Sequence, residues 1–297
     1  MRLSVAPSTK RVLVQQAKVS LRAILPWPMV AWCEGVYFAQ FGEIELRLVK
    51  HLCRPDRDSI DVGANVGTYL HAMRPYSRRV YAFEPVPWLA QALAKKFRRK
   101  TVVETVALSR ETSRAVLHVP VIDGAPVTGL STLSDDLAAT EAPCKDIPVE
   151  TRPLDEVYGG EVGFIKIDVE GHEHSVLEGA QRTIERCRPR VLVEAEERHA
   201  PGSVRHVQAF FRRLGYRGYF VFRRRLAPIE SFDARRMQRS EDIAGYTLGM
   251  PRARFERYVN NFLFLPAEEP VATLAHLQAA LETRTPPPEH HWQGAHP

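Results

Sequence analysis

Short apolar runs alternate with amphipathic stretches along most of the chain. The runs are rich in Val, Ile and Phe, as is typical of strands buried on both faces of a sheet. The stretches between them place apolar residues at helical spacing, as in Leu89, Leu93 and Phe97 or across His174–Cys187. Alternating strands and helices predict an α/β fold, with a mainly parallel seven-stranded sheet and helices on both faces. The seven strand candidates are DSIDVGANVG, which runs into a glycine-containing turn, then RRVYAFEP, TVVETVAL, VGFIKIDVEG, PRVLVEAE, GYFVF and NNFLFL.

Three segments depart from this alternation of strands and helices. Residues 114–154 contain two apolar runs around a Gly/Ser/Thr-rich loop, which predicts a small antiparallel insertion after the third strand. Residues 1–55 mix apolar positions with Lys and Arg, and two interpretations stay open: a helix on a membrane surface or a helix packed on the main domain. Residues 267–297 predict a helix followed by a disordered Pro/His-rich tail. The main domain is therefore expected at 56–266.

Composition excludes several classes of protein. Hydrophobic residues make up 44% and charged residues 26% of the 297-residue chain, which is ordinary for a globular protein with a core. No apolar run approaches the roughly 18 residues that cross a membrane. The four cysteines form no CxxC pair, so neither a zinc site nor a disulfide framework is indicated. We expect a reduced, cytoplasmic protein.

The net charge of +6 is concentrated in one segment. Residues 211–240 hold nine arginines against Glu230 and Asp233. Such a patch attracts an anionic acceptor or partner, or is simply a solvated face. The nine arginines are Arg212, Arg213, Arg217, Arg223, Arg224, Arg225, Arg235, Arg236 and Arg239.

A glycine-containing loop after the first predicted strand carries the first candidate chemistry. It reads Asp61-Val62-Gly63-Ala64-Asn65-Val66-Gly67, and glycines at such a turn let a ligand approach the backbone closely. The loop has no Walker lysine and does not match the GxGxxG dinucleotide spacing. Asp61 suits the ammonium group of a ligand, and Glu84, at the end of the second strand, suits a ribose diol. A ribose and an ammonium group without a phosphate describe S-adenosylmethionine.

At this point the chain resembles the FkbM family of methyltransferases, over about residues 43–266. The motifs that carry the resemblance are IDVGANVGTYL, VYAFEPVP, VALS, LSTL, FIKIDVEGHEHSVLEGA and VLVEAEER. It implies a Rossmann-like class I fold and an S-adenosylmethionine-dependent enzyme. It also implies O-methylation of a sugar-containing, lipid or polyketide-type metabolite, and adenine near residues 104–108. The implied cofactor-binding residues are Asp61, Gly63, Ala64, Asn65, Gly67, Glu84, Ala107 and Asp168.

The catalytic candidates follow the fourth predicted strand. Methyl transfer to oxygen requires the hydroxyl and the methyl group to be held at attack distance, and a base assists by removing the hydroxyl proton. Asp168 and Glu170 alternate at the strand end, so we expect only one of them, Asp168, to face the ligand. His172 has a pKa near neutrality and is a second candidate base, unless it serves as a solvated or helix-capping residue.

A metal and a different acceptor are the alternatives left open. Glu194 and Glu196, at the end of the fifth strand, would form an all-oxygen Mg²⁺ site with Asp168. The arginine segment is compatible with an RNA methyltransferase, although the DVEG loop lacks the motifs of amino- and cytosine-methylating enzymes. A non-catalytic adenosine-binding protein is the other alternative. We expect a small-molecule or glycan acceptor rather than a nucleic acid.

Overall fold

The computed structural model describes residues 43–122, 125–126, 128–133, 143–243 and 257–282. Within them the chain forms one eight-stranded sheet and one four-stranded sheet. The strands are β1 Asp58–Val62, β2 Val80–Phe83, β3 Thr101–Glu104, β4 Ala107–Leu108, β5 Ser113–Ile122, β6 Ala125–Pro126, β7 Cys144–Arg152, β8 Val162–Ile167, β9 Arg190–Glu194, β10 Tyr216–Phe222, β11 Arg225–Pro228 and β12 Asn261–Pro266.

The main sheet has the strand order β3-β2-β1-β8-β9-β12-β10-β11. The strands from β3 to β9 in this order run parallel, whereas β12 is antiparallel to both β9 and β10. This confirms the α/β class and the mainly parallel sheet. The count of seven strands was wrong by one, because β10 and β11 form a hairpin. Its two turn residues, Arg223 and Arg224, have φ values of 48° and 64°, so two arginines occupy positions where Gly or Asn is usual.

Helices cover both faces of the main sheet, as predicted. One face packs against helices α5 (Glu173–Gly179), α6 (Gln181–Cys187) and α7 (Ser203–Arg213), through side chains such as Leu177, Ile184 and Phe211. The other packs against α1 (Val49–Leu52), α2 (Thr68–Met73) and α10 (Val271–Glu282), through side chains such as Leu52, Leu70 and Leu277. The helices are α1 Val49–Leu52, α2 Thr68–Met73, α3 Pro87–Lys96, α4 Leu154–Val157, α5 Glu173–Gly179, α6 Gln181–Cys187, α7 Ser203–Arg213, α8 Ala234–Met237, α9 Ser240–Ile243 and α10 Val271–Glu282.

The second sheet is the predicted insertion, with β5 and β7 paired antiparallel over eight residues. We call it the insertion sheet. The expectation of one continuous strand over TVVETVAL was wrong, because the chain leaves the main sheet after Glu104. Ala107 and Leu108 pair instead with Thr151 and Arg152 of β7. The insertion sheet is thereby tied to the end of β3, beside the carboxyl edge of the main sheet.

The expected single helix over His174–Cys187 is two helices. It breaks at Ala180, whose φ and ψ of −111° and 1° are not helical. Gly179 lies against the backbone of Ser109 so closely that a Cβ there would be 2.0 Å from the Ser109 carbonyl oxygen. This close approach brings α5 next to the insertion sheet.

The N-terminal segment lies mostly outside the described residues, whereas the helix predicted after residue 266 is α10, Val271–Glu282. Residues 1–42, including the basic amphipathic stretch, and residues 283–297, the expected tail, are outside the described part. Among the described residues, a short turn Ile44–Arg47 and α1 follow Glu43. No helix in this described part is long and apolar enough to cross a membrane.

Candidate active site

A cleft lies at the carboxyl edge of the main sheet, between β1, β2, β8 and the insertion sheet. In open α/β sheets ligands bind at this edge. The lining residues are Val62, Gly63, Asn65, Phe83, Glu84, Pro85, Val86, Val106, Ala107, Leu108, Leu117, Thr128, Gly129, Ser131, Leu133, Asp168, Val169, Glu170 and His172.

The glycine loop is held against the neighbouring strands. The amides of Gly63 and Ala64 both donate to the carbonyl of Phe83, at 2.9 and 3.2 Å. Gly63 has φ +77°, and a Cβ at this position would lie 1.9 Å from the carbonyl oxygen of Asp168. Gly67, with φ +85°, is the residue before α2. The loop therefore requires glycine at position 63 for the backbone to pass beside β8.

Glu84 is buried at the end of β2 with its carboxylate in the cleft wall. Its Oε2 accepts from the amide of Asn65 at 2.7 Å, and its Oε1 accepts from the amide of Val86 at 2.8 Å. Burial raises the pKa of Glu84, and these two hydrogen bonds oppose the shift. Each carboxylate oxygen has a second lone pair, so the group retains the capacity to accept two hydroxyls.

Not every predicted cofactor residue faces the cleft. Gly63, Asn65, Glu84, Ala107 and Asp168 line it. Asp61, Ala64 and Gly67 are not among the lining residues. Asp61 is buried instead opposite Lys166, its register partner on β8, and its Oδ2 has no hydrogen-bond partner among the described residues. Burial raises the pKa of Asp61 to about 7, although the positive charge of Lys166 lowers it in part.

All three catalytic candidates line the cleft. Asp168 and Glu170 both reach the cleft wall: β8 ends at Ile167, and Glu170 has a left-handed backbone with φ +48°. His172 precedes α5 without capping it through its side chain, and its Nε2 lies 2.9 Å from Ser109 Oγ. Burial, and then the charge of Arg110, lower the pKa of His172, so its imidazole is neutral at pH 7.

Sequence reasoning missed a buried lysine beneath Asp168. Lys166 Nζ donates to Asn261 Oδ1 at 3.0 Å and to the Ile167 carbonyl at 3.2 Å, and it lies 5.0 Å from the ring centroid of Tyr69. The same atom is 3.9 Å from Asp168 Oδ2 and 3.8 Å from Glu194 Oε2. The available signal was a charged residue inside VGFIKI, an otherwise apolar strand.

Two asparagines at the start of β12 complete this group. Asn260 Nδ2 donates to Glu194 Oε1, and Asn261 Nδ2 donates to Glu43 Oε2 at 3.1 Å. Glu43 Oε2 also accepts from the Tyr69 hydroxyl at 2.7 Å. The dipeptide was visible in NNFLFL, but its place at the cleft edge follows from the antiparallel course of β12. We call the following set the Lys166 cluster: Glu43, Tyr69, Lys166, Asp168, Glu194, Asn260 and Asn261.

The Mg²⁺ site expected from Asp168, Glu194 and Glu196 is not assembled. The Lys166 ammonium occupies the position between Asp168 and Glu194. Glu196 is bound by the Arg198 guanidinium at 2.6 and 2.9 Å and by the Tyr258 hydroxyl.

Glu170, Glu196 and His199 do bring one ligand atom each within 4.8 Å of one another. His199 Nε2 lies 3.0 Å from Glu170 Oε2, which is an ion-pair distance. Burial lowers the pKa of His199, but the Glu170 carboxylate outweighs this and the net pKa is raised. Because Arg198 already neutralises Glu196, the arrangement is an ion-pair network and supports no metal.

The insertion sheet closes one side of the cleft. Thr128 Oγ1 donates to Asn65 Oδ1 at 3.2 Å, and Thr132 Oγ1 donates to the Glu170 carbonyl at 2.9 Å. Leu117 and Leu133 add apolar lining. The segment 128–133 therefore contacts both the glycine loop and the loop after β8.

The nine arginines lie elsewhere. None of them lines the cleft in the described part of the chain. Because β10 runs parallel to β9, Arg217 near its start lies at the opposite edge of the sheet. The cleft's own charged side chains are acidic, apart from the neutral His172: Glu84, Asp168 and Glu170.

Comparison with known proteins decides the family. Residues 61–217 match the methyltransferase FkbM domain, which is more than half of the chain. The chain belongs to the FkbM methyltransferase family. It is therefore an S-adenosylmethionine-dependent methyltransferase. No curated protein matches this chain significantly.

Solved structures resemble the chain more distantly. A methyltransferase FkbM from Methylobacillus flagellatus is 18% identical over 71% of this chain, with a TM-score of 0.46. This chain spans 44% of that protein's length. An rRNA methylase from Streptococcus thermophilus is 9% identical over 76% of this chain and 95% of its own, with a TM-score of 0.38. An O-methyltransferase from Thermotoga maritima is 10% identical over 76% of this chain and 64% of its own, with a TM-score of 0.36.

Proposed function

We propose that this FkbM methyltransferase transfers the methyl group of S-adenosylmethionine to a hydroxyl of a sugar-containing, lipid or polyketide-type metabolite. The observation that carries the proposal is the Asp168 carboxylate. It lies in the cleft directly after β8, next to the glycine loop, where the Asp168 amide donates to the Val62 carbonyl at 3.0 Å. A carboxylate at this place can orient an acceptor hydroxyl and accept its proton.

The cleft offers suitable residues for both the ribose and the adenine of the cofactor. Glu84 is placed to accept the ribose hydroxyls. The apolar side chains Val86, Val106 and Leu133 offer a slot for adenine, with Ala107 in its wall. The cofactor supplies a methyl group on a positively charged sulfur, and the acidic lining favours that charge.

The acidic lining also bears on the acceptor. An anionic acceptor would bring its charge towards Glu84, Asp168 and Glu170 without a basic lining residue, among the described ones, to compensate. The anionic-acceptor prediction from the arginine segment therefore has no support from the cleft itself, and a neutral hydroxyl-bearing acceptor is favoured. RNA, whose phosphates are anionic, is disfavoured on the same ground.

The test is incubation of the enzyme with S-adenosylmethionine carrying a CD₃ group and three acceptor panels: neutral glycans and polyols, anionic sugars, and RNA. The proposal predicts a CD₃-labelled product on oxygen from the neutral panel. Label on RNA or on nitrogen would contradict it. The Asp168→Asn variant serves as the matched control for non-enzymatic transfer.

A further inference from the structure

The arginines of residues 211–240 divide between the two edges of the main sheet. Strand β10 runs parallel to β9, because β12 between them is antiparallel to both. The end of β10 and the hairpin turn at Arg223 therefore lie at the carboxyl edge, which also holds the cleft. Arg212, Arg213 and Arg217 lie at the opposite edge, at the end of α7 and the start of β10. The positive charge of this segment thus forms two separate groups.

Helix α8 brings two more arginines to the carboxyl edge. The residue after this helix, Gln238, donates from Nε2 to the carbonyl of Ala195 at 2.8 Å, and Ala195 directly follows β9. Arg235 and Arg236 on α8 are exposed, as is Arg223. None of these three guanidinium groups forms an ion pair or a hydrogen bond with a described residue. Their charges are therefore available to an external partner.

Exposed apolar side chains lie at the same edge, beside the cleft. Val66, in the glycine loop after β1, is 52% exposed, and Trp88, at the start of α3 after β2, is 41% exposed. The Lys145 ammonium lies 4.6 Å from the centroid of the Trp88 ring. Tryptophan and basic side chains are favoured where water meets lipid headgroups. Five strand spacings separate β10 from β2, so this mixed basic and apolar surface is about 24 Å long.

The chain before Glu43 also joins the fold at this edge. Glu43, a member of the Lys166 cluster, accepts hydrogen bonds from Asn261 at the start of β12 and from Tyr69 near the start of α2. Residues 1–42 contain five basic residues and one acidic residue. Their sequence mixes basic and apolar positions, which is typical of segments that bind a membrane surface. This segment therefore adds positive charge on the cleft side of the sheet.

We propose that the carboxyl edge of the main sheet docks on an anionic lipid membrane. Arg223, Arg235 and Arg236 are attracted to the lipid phosphates, and Val66 and Trp88 leave water for the headgroup region. RNA would match the positive charge, but it offers no apolar phase to Val66. The proposal goes beyond hydroxyl methylation, because it does not depend on which atom receives the methyl group. It gives the basic rim and the acidic cleft separate partners, the membrane and a neutral hydroxyl.

The test is co-sedimentation of the full chain with vesicles of phosphatidylcholine, with or without phosphatidylglycerol. We expect binding only to the anionic vesicles, and weaker binding at high salt. Arg223→Gln/Arg235→Gln should weaken it by about 30-fold, since each basic side chain near an anionic surface contributes about a factor of five. Arg212→Gln/Arg217→Gln removes the same charge from the opposite edge, so this matched control should bind like the parent.

A second pair of variants tests the apolar contribution. Val66→Ser should weaken vesicle binding several-fold, because the exposed valine no longer gains from leaving water. Val271→Ser is the control and should bind like the parent. Val271 is 78% exposed, but it starts α10 shortly after β12 has ended at the opposite edge.

No binding to anionic vesicles at low salt would overturn the proposal. Equal weakening by the two double variants would also overturn it, because the attraction would then depend on net charge alone. RNA binding that is tighter than vesicle binding at the same salt, and is lost in Arg223→Gln/Arg235→Gln, would assign the edge to a nucleic acid instead.

The CD₃ labelling experiment separates this proposal from the proposed function. Vesicle binding together with label on nitrogen refutes the hydroxyl acceptor and supports the docking surface. Label on the oxygen of a neutral acceptor without vesicle binding supports the proposed function and refutes the docking surface.

Discussion

Glu84 offers the sharpest perturbation of the cofactor site. In Glu84→Ala the cleft loses the carboxylate that we place on the ribose hydroxyls. Two hydrogen bonds to a charged group are worth about 1.5–3 kcal/mol each, or about 3–6 kcal/mol together. At about 1.4 kcal/mol for each factor of ten, the dissociation constant of S-adenosylmethionine should rise by about 10²- to 10⁴-fold.

The same substitution has a second effect that must be separated from the first. The amides of Asn65 and Val86 lose their acceptor, and the Val86 amide is buried. A buried unpaired donor costs about 1–3 kcal/mol of stability. Glu84→Gln retains one acceptor oxygen and should lose less stability while still losing the charge.

Isothermal titration calorimetry at a temperature where each variant is folded measures the affinity, and denaturant unfolding measures the stability. Glu185→Gln, an exposed carboxylate on α6, is the matched control and should change neither. Parent-like affinity in a folded Glu84→Ala variant would refute the ribose assignment, since we assign no other side chain to the ribose hydroxyls.

Three further predictions follow from the same geometry. Gly63→Ala should lower the free energy of unfolding by about 1–2 kcal/mol, because alanine is strained in a left-handed backbone, and by about 1–3 kcal/mol more, because its Cβ clashes with the Asp168 carbonyl. Gly159→Ala is the control, because a Cβ at Gly159 meets open space. Equal unfolding midpoints in the two variants would contradict the loop geometry. Asp168→Asn should lower turnover by about 10²- to 10⁴-fold with little change in cofactor affinity; parent-like turnover would make Asp168 structural. Burial raises the pKa of Glu173 from 4.5 to about 7, so the folded state binds the proton of this carboxyl group more tightly than the unfolded state does. The free energy of unfolding should therefore fall from pH 4.5 to about 7, and less so in Glu173→Gln; parallel pH profiles would refute this.

The parallel core of the fold was predictable because buried strands have a strong compositional signature. Of the predicted strand VGFIKIDVEG, the six residues VGFIKI form β8, and all six are buried. The eighth strand was missed for a physical reason: the hairpin turn uses Arg223 and Arg224 in a conformation that usually selects Gly or Asn. Similarly, the break at Ala180 depends on the approach of Gly179 to Ser109, a tertiary contact that helical periodicity does not encode.

The candidate site was likewise predictable only in part. Three site residues follow strands, namely Gly63, Glu84 and Asp168. Because ligands bind beyond the carboxyl ends of the strands in open α/β sheets, these residues could be predicted to lie together. The supporting groups could not be placed from local pattern. Asn260 and Asn261 reach Glu194 and Lys166 only because β12 runs antiparallel between β9 and β10. The expected magnesium site failed because a lysine two residues before Asp168 supplies the positive charge instead.

The most direct measurement is a crystal structure of the protein with S-adenosylmethionine bound. We expect the ribose hydroxyls on Glu84, the adenine between Val86 and Leu133 beside Ala107, and the methyl-bearing sulfur next to Asp168. A cofactor bound elsewhere, or bound in the cleft with its ribose away from Glu84 and its sulfur away from Asp168, would contradict this assignment.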